Sequence, residues 1–225
     1  MTEHTRVHAG TDRPGVDLTM MTLIHAALRR DLDRLTTAVA AVEPANEGRV
    51  EALRERWSLF AKLLHHHHAG EDQRVWPLIA DRIPDRSVLD ALETEHATLD
   101  PLVAQAGDGF DRLKADSSVP ARDALAASLG ELRDRLGAHL GHEERDGVPL
   151  ILAHVGPEEW AAYELYQKNA LGPQEQAQFF PWVIEGASAD HRETALGVLP
   201  APARVLAATT WEPAYRARVA AAFGS

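Results

Sequence analysis

The stretch Leu63-Leu64-His65-His66-His67-His68-Ala69-Gly70-Glu71-Asp72 puts four consecutive histidines and two acids at the end of an apolar helical run. It lies in the middle of the chain, away from the termini where an expression tag would sit. The apolar stripe through it reads Val50, Leu53, Trp57, Phe60, Leu64, His67, Glu71, Val75 and Leu78, in steps of mostly three and four. His67 and Glu71 therefore occupy positions where a core-facing helix carries Leu or Ile. Ionisable groups on a buried stripe have to be paired, hydrogen-bonded or bound to metal. On a helix these two are one turn apart, roughly 6 Å along the axis, so an imidazole and a carboxylate can reach one metal centre. His65 and His66 point off the stripe, and His68 flanks it as the register alternative to His67.

Three further helices repeat the pattern. A first helix is expected over residues 17–42, ended by Pro44, with the stripe Leu18, Met21, His25, Leu28, Leu32, Leu35, Val39 and Val42. His25 is its one ionisable member; alone it would read as a core histidine bonded to a neighbour. The motif helix spans residues 46–82, with Pro77 placed to kink it. A third starts at Ser87, placed as an N-cap with Asp90 three residues on, and reaches at least Ala106 before Gly107 and Gly109 loosen the pattern. Its stripe is Leu89, Leu92, His96, Leu99 and Val103, with Asp100 one turn past the histidine. The fourth covers residues 119–154 with Leu125, Leu129, Leu132, Leu136, His139, Glu143 and Leu150. His142 and Glu144 are its register alternatives, and Gly147 and Pro149 make it irregular after the motif.

The 225 residues fit one large domain or one domain with an extension. Hydrophobic residues at 45% and charged residues at 25% are ordinary for a globular chain. A formal net charge of -11 argues against nucleic-acid or anionic-membrane partners. With no cysteine, a metal has to be held by imidazole and carboxylate, which suits iron, manganese or zinc. The first eight residues lack a signal-peptide core and no apolar run spans a bilayer, so a cytoplasmic location is expected.

Residues 1–15, which include His4 and His8, read as a loose arm, residues 16–155 as the bundle, and residues 156–225 as a C-terminal extension. The extension holds most of the aromatic residues. It is expected to form three or four short helices broken at Gly172-Pro173, Pro181, Gly186, Pro200, Pro202 and Pro213. The expected fold is all-α: an up-down-up-down four-helix bundle with a metal site in its core, covered by that helical extension. Short loops make the helices antiparallel neighbours, so the stripes converge. His25, His67, Glu71, His96, His139 and Glu143 buried together without metal would be very costly, and two bound metal ions would satisfy all six.

An isolated His25, then His67-x-x-x-Glu71, Glu95-His96 and His139-x-x-x-Glu143-Glu144, in this order, resemble the hemerythrin-like family with its HHE cation-binding domain, over roughly residues 16–154. The resemblance implies two iron ions, with manganese or zinc as alternatives, the four histidines as terminal ligands and Glu71 and Glu143 as bridges. Oxygen-carrying members have a second histidine where this chain has Asp100, and a carboxylate five residues after the last histidine, where Glu144 stands behind Glu143. Four histidines and two bridging glutamates would fill about eight of about twelve coordination positions, an open site; ligation by Asp100 would close one more.

The family implies a protein that binds or reacts with oxygen, nitric oxide or hydrogen peroxide, for sensing, storage or detoxification, with a redox partner that the sequence does not name. An oxidoreductase acting on a small organic substrate under the extension is the enzyme alternative, and a pocket beside the metals lined by Trp160 or Tyr163 would favour it. A structural metal domain serving protein interaction is the third, and needs a centre with no open position.

Overall fold

The computed structural model describes residues 15–224, so the expected loose arm, with His4 and His8, lies outside the described residues except for Gly15. Among the described residues all regular structure is helical. Four helices form the bundle: α1 (Thr19–Ala41), α2 (Glu47–Gly70), α4 (Ser87–Asp116) and α5 (Val119–His142), with the short α3 (Trp76–Ala80) and α6 (Val148–His154) continuing α2 and α5. Each bundle helix packs on two neighbours in the ring α1, α2, α4, α5.

The ends follow local chemistry. Asn46 Oδ1 accepts the Arg49 N–H at 3.1 Å to start α2, and Ser118 Oγ accepts the Ala121 N–H at 3.3 Å to start α5. Ser87, expected as a cap, is instead the first residue of α4. The acceptor for its N–H is Asp85 Oδ1 at 2.9 Å. Gly107 and Gly109 do not loosen α4, which runs on to a left-handed Ser117 at φ 47°. A Cβ on Gly109 would stand 2.8 Å from Leu125 Cδ1, so the missing side chain lets α4 and α5 close on each other.

The irregularities expected at Pro77 and after Gly147 take one specific form. Single π-turns, Glu71–Val75 and Glu143–Gly147, begin at the two motif glutamates. They are closed by Trp76 N–H to Glu71 O and Val148 N–H to Glu143 O. Each closing residue precedes a proline, Pro77 or Pro149, whose ring excludes the carbonyl four residues back and which has no N–H to offer. A third such turn, Ala207–Trp211, precedes Pro213 outside the histidine cluster, so proline is the shared local cause.

Two apolar blocks fill the bundle. One holds Leu28, Leu64, Leu99 and Leu136 and continues into the extension; the other holds Met21, Trp76, Leu92 and Ile151. The stripe positions between them are the histidines and glutamates, so the polar residues form a slab across the core.

The extension comprises α7 (Pro157–Ala170), α8 (Pro173–Ile184), α9 (Ala189–Gly197), α10 (Ala201–Leu206) and α11 (Glu212–Phe223). Pro181 lies inside α8 and does not break it, because Phe179, Phe180, Trp182, Val183 and Ile184 around it are buried and their packing outweighs one lost backbone bond. The extension lies on α1 and α2. A buried polar network joins it to them. Asp31 accepts from Arg56 Nη2 at 2.7 Å and Trp182 Nε1 at 2.9 Å. Arg56 Nη2 also donates to Tyr215 Oη, which donates to Glu185 Oε2, both at 2.7 Å. Arg30 donates to the Trp182 and Glu185 carbonyls at the end of α8, satisfying acceptors that a helix C-terminus leaves open.

Candidate metal centre

The slab contains two adjacent donor groups. His68, His96 and His139 form one; His25, His67, Glu71 and Glu143 form the other, and within each group one ligand-type atom per residue lies within 4.8 Å of all the others. All seven residues are buried. The six expected site residues therefore come together, joined by a seventh. His68 enters beside His67 rather than in place of it, so the four-histidine run contributes two side chains to the core. One turn of helix carries both because the slab faces α2 broadly, with His68 stacked on His96 at a centroid distance of 4.0 Å. His65 is exposed, and His66 Nε2 meets the Gln167 carbonyl at 3.1 Å.

Both glutamates stand between the two groups. Glu143 Oε2 is 3.4 Å from His25 Nε2 and 3.9 Å from His139 Nε2. Glu71 Oε1 is 3.2 Å from His67 Nδ1, and its Oε2 is 3.8 Å from His96 Nε2. No hydrogen bond satisfies any of these four carboxylate oxygens, nor His68 Nε2, although all are buried. Orphaned buried acceptors of this kind are costly unless a cation completes them. The imidazole spacing agrees: His25 Nε2 to His67 Nε2 is 3.0 Å and His96 Nε2 to His139 Nε2 is 3.1 Å. Two nitrogens each about 2.1 Å from a shared ion at a right angle stand about 3.0 Å apart. The residues fit a pair of metal ions.

Three carboxylates behind the slab hold the outer nitrogens. His25 Nδ1 meets Glu144 Oε1 at 2.9 Å, His96 Nδ1 meets Asp72 Oδ1 at 2.7 Å, and His139 Nδ1 meets Glu95 Oε2 at 2.8 Å. An Nδ1–H donated outward fixes the ring and leaves the Nε2 lone pair facing the centre. Glu144, considered as a ligand, thus orients His25 and also binds Arg29. His142, the other register alternative, bonds Glu95 and ion-pairs with Asp146 at the edge of the slab. Asp100 is exposed and belongs to neither group, because the helical turn that buries His96 and Leu99 carries it to the outer face. The apolar stripes point to neither Asp72 nor Glu95; the one signal in the sequence is adjacency, of Asp72 to Glu71 and of Glu95 to His96.

The electrostatics of the slab free some donors and leave a proton on others, His25 and Glu71, that a bound cation would have to displace. Burial, aided by neighbouring imidazoles, holds His67 and His68 well below the usual histidine range, and His139 below it, so their lone pairs stay free. At His25 burial acts downward, but Glu143 and Glu144 outweigh it and raise the ring to about 9. Burial opposes ionisation of Glu143 too, yet the imidazoles, His25 foremost, bring it down to about 2. Glu71 is pushed up by burial and by Glu143 beside it.

A cavity of about 250 Å³ opens beside His67, between α1, α2 and the extension, and both Trp160 and Tyr163 line it. Glu164 lines it as well, raised to about 7 by burial and by Asp17. A carboxyl that holds its proton longer in the folded chain than its unfolded value of 4.5 costs stability as pH rises from 4.5 to 7, and the cost is complete above that window. Glu164→Gln should therefore be more stable than wild type at pH 8 by about 1 kcal/mol, after discounting for partial exposure, and should match wild type at pH 4. Thermal unfolding at the two pH values reads this; equal gains at both would refute it.

Residues 16–152 match the family model of the hemerythrin HHE cation-binding domain, and the chain belongs to that family. Among curated proteins it is similar to the zinc finger protein BRUTUS of Arabidopsis thaliana, with 24% identity over 173 residues. That match covers 74% of this chain and only 13% of BRUTUS. No solved structure matches the chain significantly. No helix among the described residues is long and apolar enough to cross a membrane.

Proposed function

We propose that this chain is a non-haem di-iron protein that binds or reacts with oxygen, nitric oxide or hydrogen peroxide. The observation that carries the reading is the pair of buried carboxylates, each lying between two imidazole groups with every oxygen unpartnered. His68, His96 and His139 would hold one ion and His25 and His67 the other, with Glu71 and Glu143 within reach of both groups. Glu144, Asp72 and Glu95 keep three of the rings aimed. Five imidazoles and two carboxylates shared by both ions would fill about nine of about twelve positions, one more than the sequence alone suggested, and would leave room for solvent and one exogenous ligand. When bound, the ion pair supplies reversible one- and two-electron exchange with a small oxidant. The apolar blocks on either side keep bulk water from the slab.

The cavity against His67 favours a second reading, an oxidoreductase acting on a small organic substrate admitted beneath α7 and α8. Anaerobic reduction of the iron-loaded protein, followed separately by oxygen, peroxide and nitric oxide, tests both. The expected result is a new visible band with nitric oxide and with at least one of the two oxidants. A stable, reversible oxygen band would identify a carrier and rapid peroxide consumption an enzyme. An unchanged spectrum with all three would end the proposal.

A further inference from the structure

We infer that the cavity beneath α7 and α8 is a binding site for a neutral, ring-sized aromatic molecule carrying one hydroxyl group. The inference extends the second reading above, but its geometry stands without the metal. A cavity of about 150 Å³ lined by aliphatic and aromatic side chains takes up benzene. At about 250 Å³ this one has room for a second ring or a substituent.

Its walls are mostly apolar. Trp160, Phe179, Phe180 and Trp182 supply aromatic faces and edges, which prefer offset or edge-on contact with another ring, and Met20 and Met21 supply thioether sulfurs that adapt to one. At the mouth the apolar surface continues outward through Leu165, 54% exposed, and Val198, 41% exposed. Lys168, also at the cavity, is engaged with the Val198 carbonyl at 3.1 Å.

Among the polar groups of the wall, the Tyr163 hydroxyl is held from behind. Gln167 Nε2 donates to Tyr163 Oη at 3.1 Å and to the His66 carbonyl at 3.4 Å. The amide is seated against bare backbone: a Cβ on Gly70 would lie 2.3 Å from Gln167 Nε2. Tyr163 Oη, its acceptor side used by Gln167, has its own proton to give to an oxygen of the occupant. A carboxylate ligand would lose its hydration against the mostly apolar wall. The wall thus selects a neutral ring, and Tyr163 selects an oxygen on it.

Titration calorimetry on the full metal-loaded chain with 2-naphthol, naphthalene and 2-naphthoate tests this. Saturable binding of 2-naphthol at one site is expected, with 2-naphthoate at least about tenfold weaker. Tyr163→Phe should bring 2-naphthol down to the affinity of naphthalene, a loss of about fivefold. Ala161→Trp, which fills the cavity from its exposed side, should abolish saturation while leaving metal content unchanged. No saturable 2-naphthol binding, equal affinity for 2-naphthoate, or wild-type affinity in both variants would overturn the inference. Binding that persists while oxygen, peroxide and nitric oxide leave the spectrum unchanged would keep this site and remove the di-iron reading; the opposite pair of results would remove only this site.

Discussion

Replacing His67 and Glu71 together by alanine should leave the purified chain with less than about a tenth of the wild-type metal. The two residues supply one terminal nitrogen and one of the two carboxylates that stand between the donor groups, so their loss opens both groups at once. Metal content by elemental analysis gives the direct readout. Stability gives a second one, of opposite sign in the two metal states. Without metal, Glu71 is a fully buried carboxyl with no hydrogen-bond partner and a second buried carboxylate beside it, so its removal relieves the folded chain. With metal, wild type gains the linkage energy of the bound ion, about 4 kcal/mol when free metal is a thousandfold above its dissociation constant, and the variant does not. The variant should therefore melt above metal-free wild type and below metal-loaded wild type. Wild-type metal content in the double variant would sink the assignment of the centre, whatever its melting temperature.

The bundle was legible because its information is periodic. Each helix carries an apolar stripe with steps of three and four, and a histidine within such a stripe is conspicuous because burial penalises it. His25, His67, Glu71, His96, His139 and Glu143 were found on that ground, and all six lie in the slab. His68 is not marked out by its stripe. A stripe is a line, whereas the centre is a slab wide enough to take two side chains from one turn of α2, and periodicity alone treated His67 and His68 as alternatives. The outer carboxylates were harder to find for a related reason. Asp72 and Glu95 sit on the partly exposed rim, where a carboxylate is unremarkable until the ring it holds is known. Asp100 looked like a ligand by spacing from His96, but spacing places a residue along a helix and does not say that the turn between them stays buried. The attachment of the extension was not legible at all. Its contacts rest on pairs more than a hundred residues apart, such as Arg56 with Tyr215 and Asp31 with Trp182, which no local pattern reports.

That attachment carries the second large effect: Asp31→Ala should destabilise the protein by about 3–5 kcal/mol. Asp31 is fully buried, and Arg56, which donates to it at 2.7 Å, is only 4% exposed. Removing the carboxylate strands a buried guanidinium and takes the acceptor from Trp182 Nε1. The guanidinium also lies over the Tyr215 ring, 4.8 Å from its centroid, so an unbalanced charge there disturbs the seat of α11. In a chain of this length the loss corresponds to a fall in melting temperature on the order of 10 °C. Removing the charge from both sides, Asp31→Leu with Arg56→Met, should recover most of it, since a buried ion pair replaced by apolar groups of similar volume is close to neutral. Limited proteolysis separates loosening from global unfolding: Asp31→Ala should expose cleavage sites in α11 at temperatures where the bundle is still folded. Metal content should not change, because Asp31 belongs to neither donor group. A melting temperature within about 2 °C of wild type, with α11 still protected, would mean that apolar packing of Phe179, Phe180 and Trp182 alone holds the extension and that the network contributes nothing measurable.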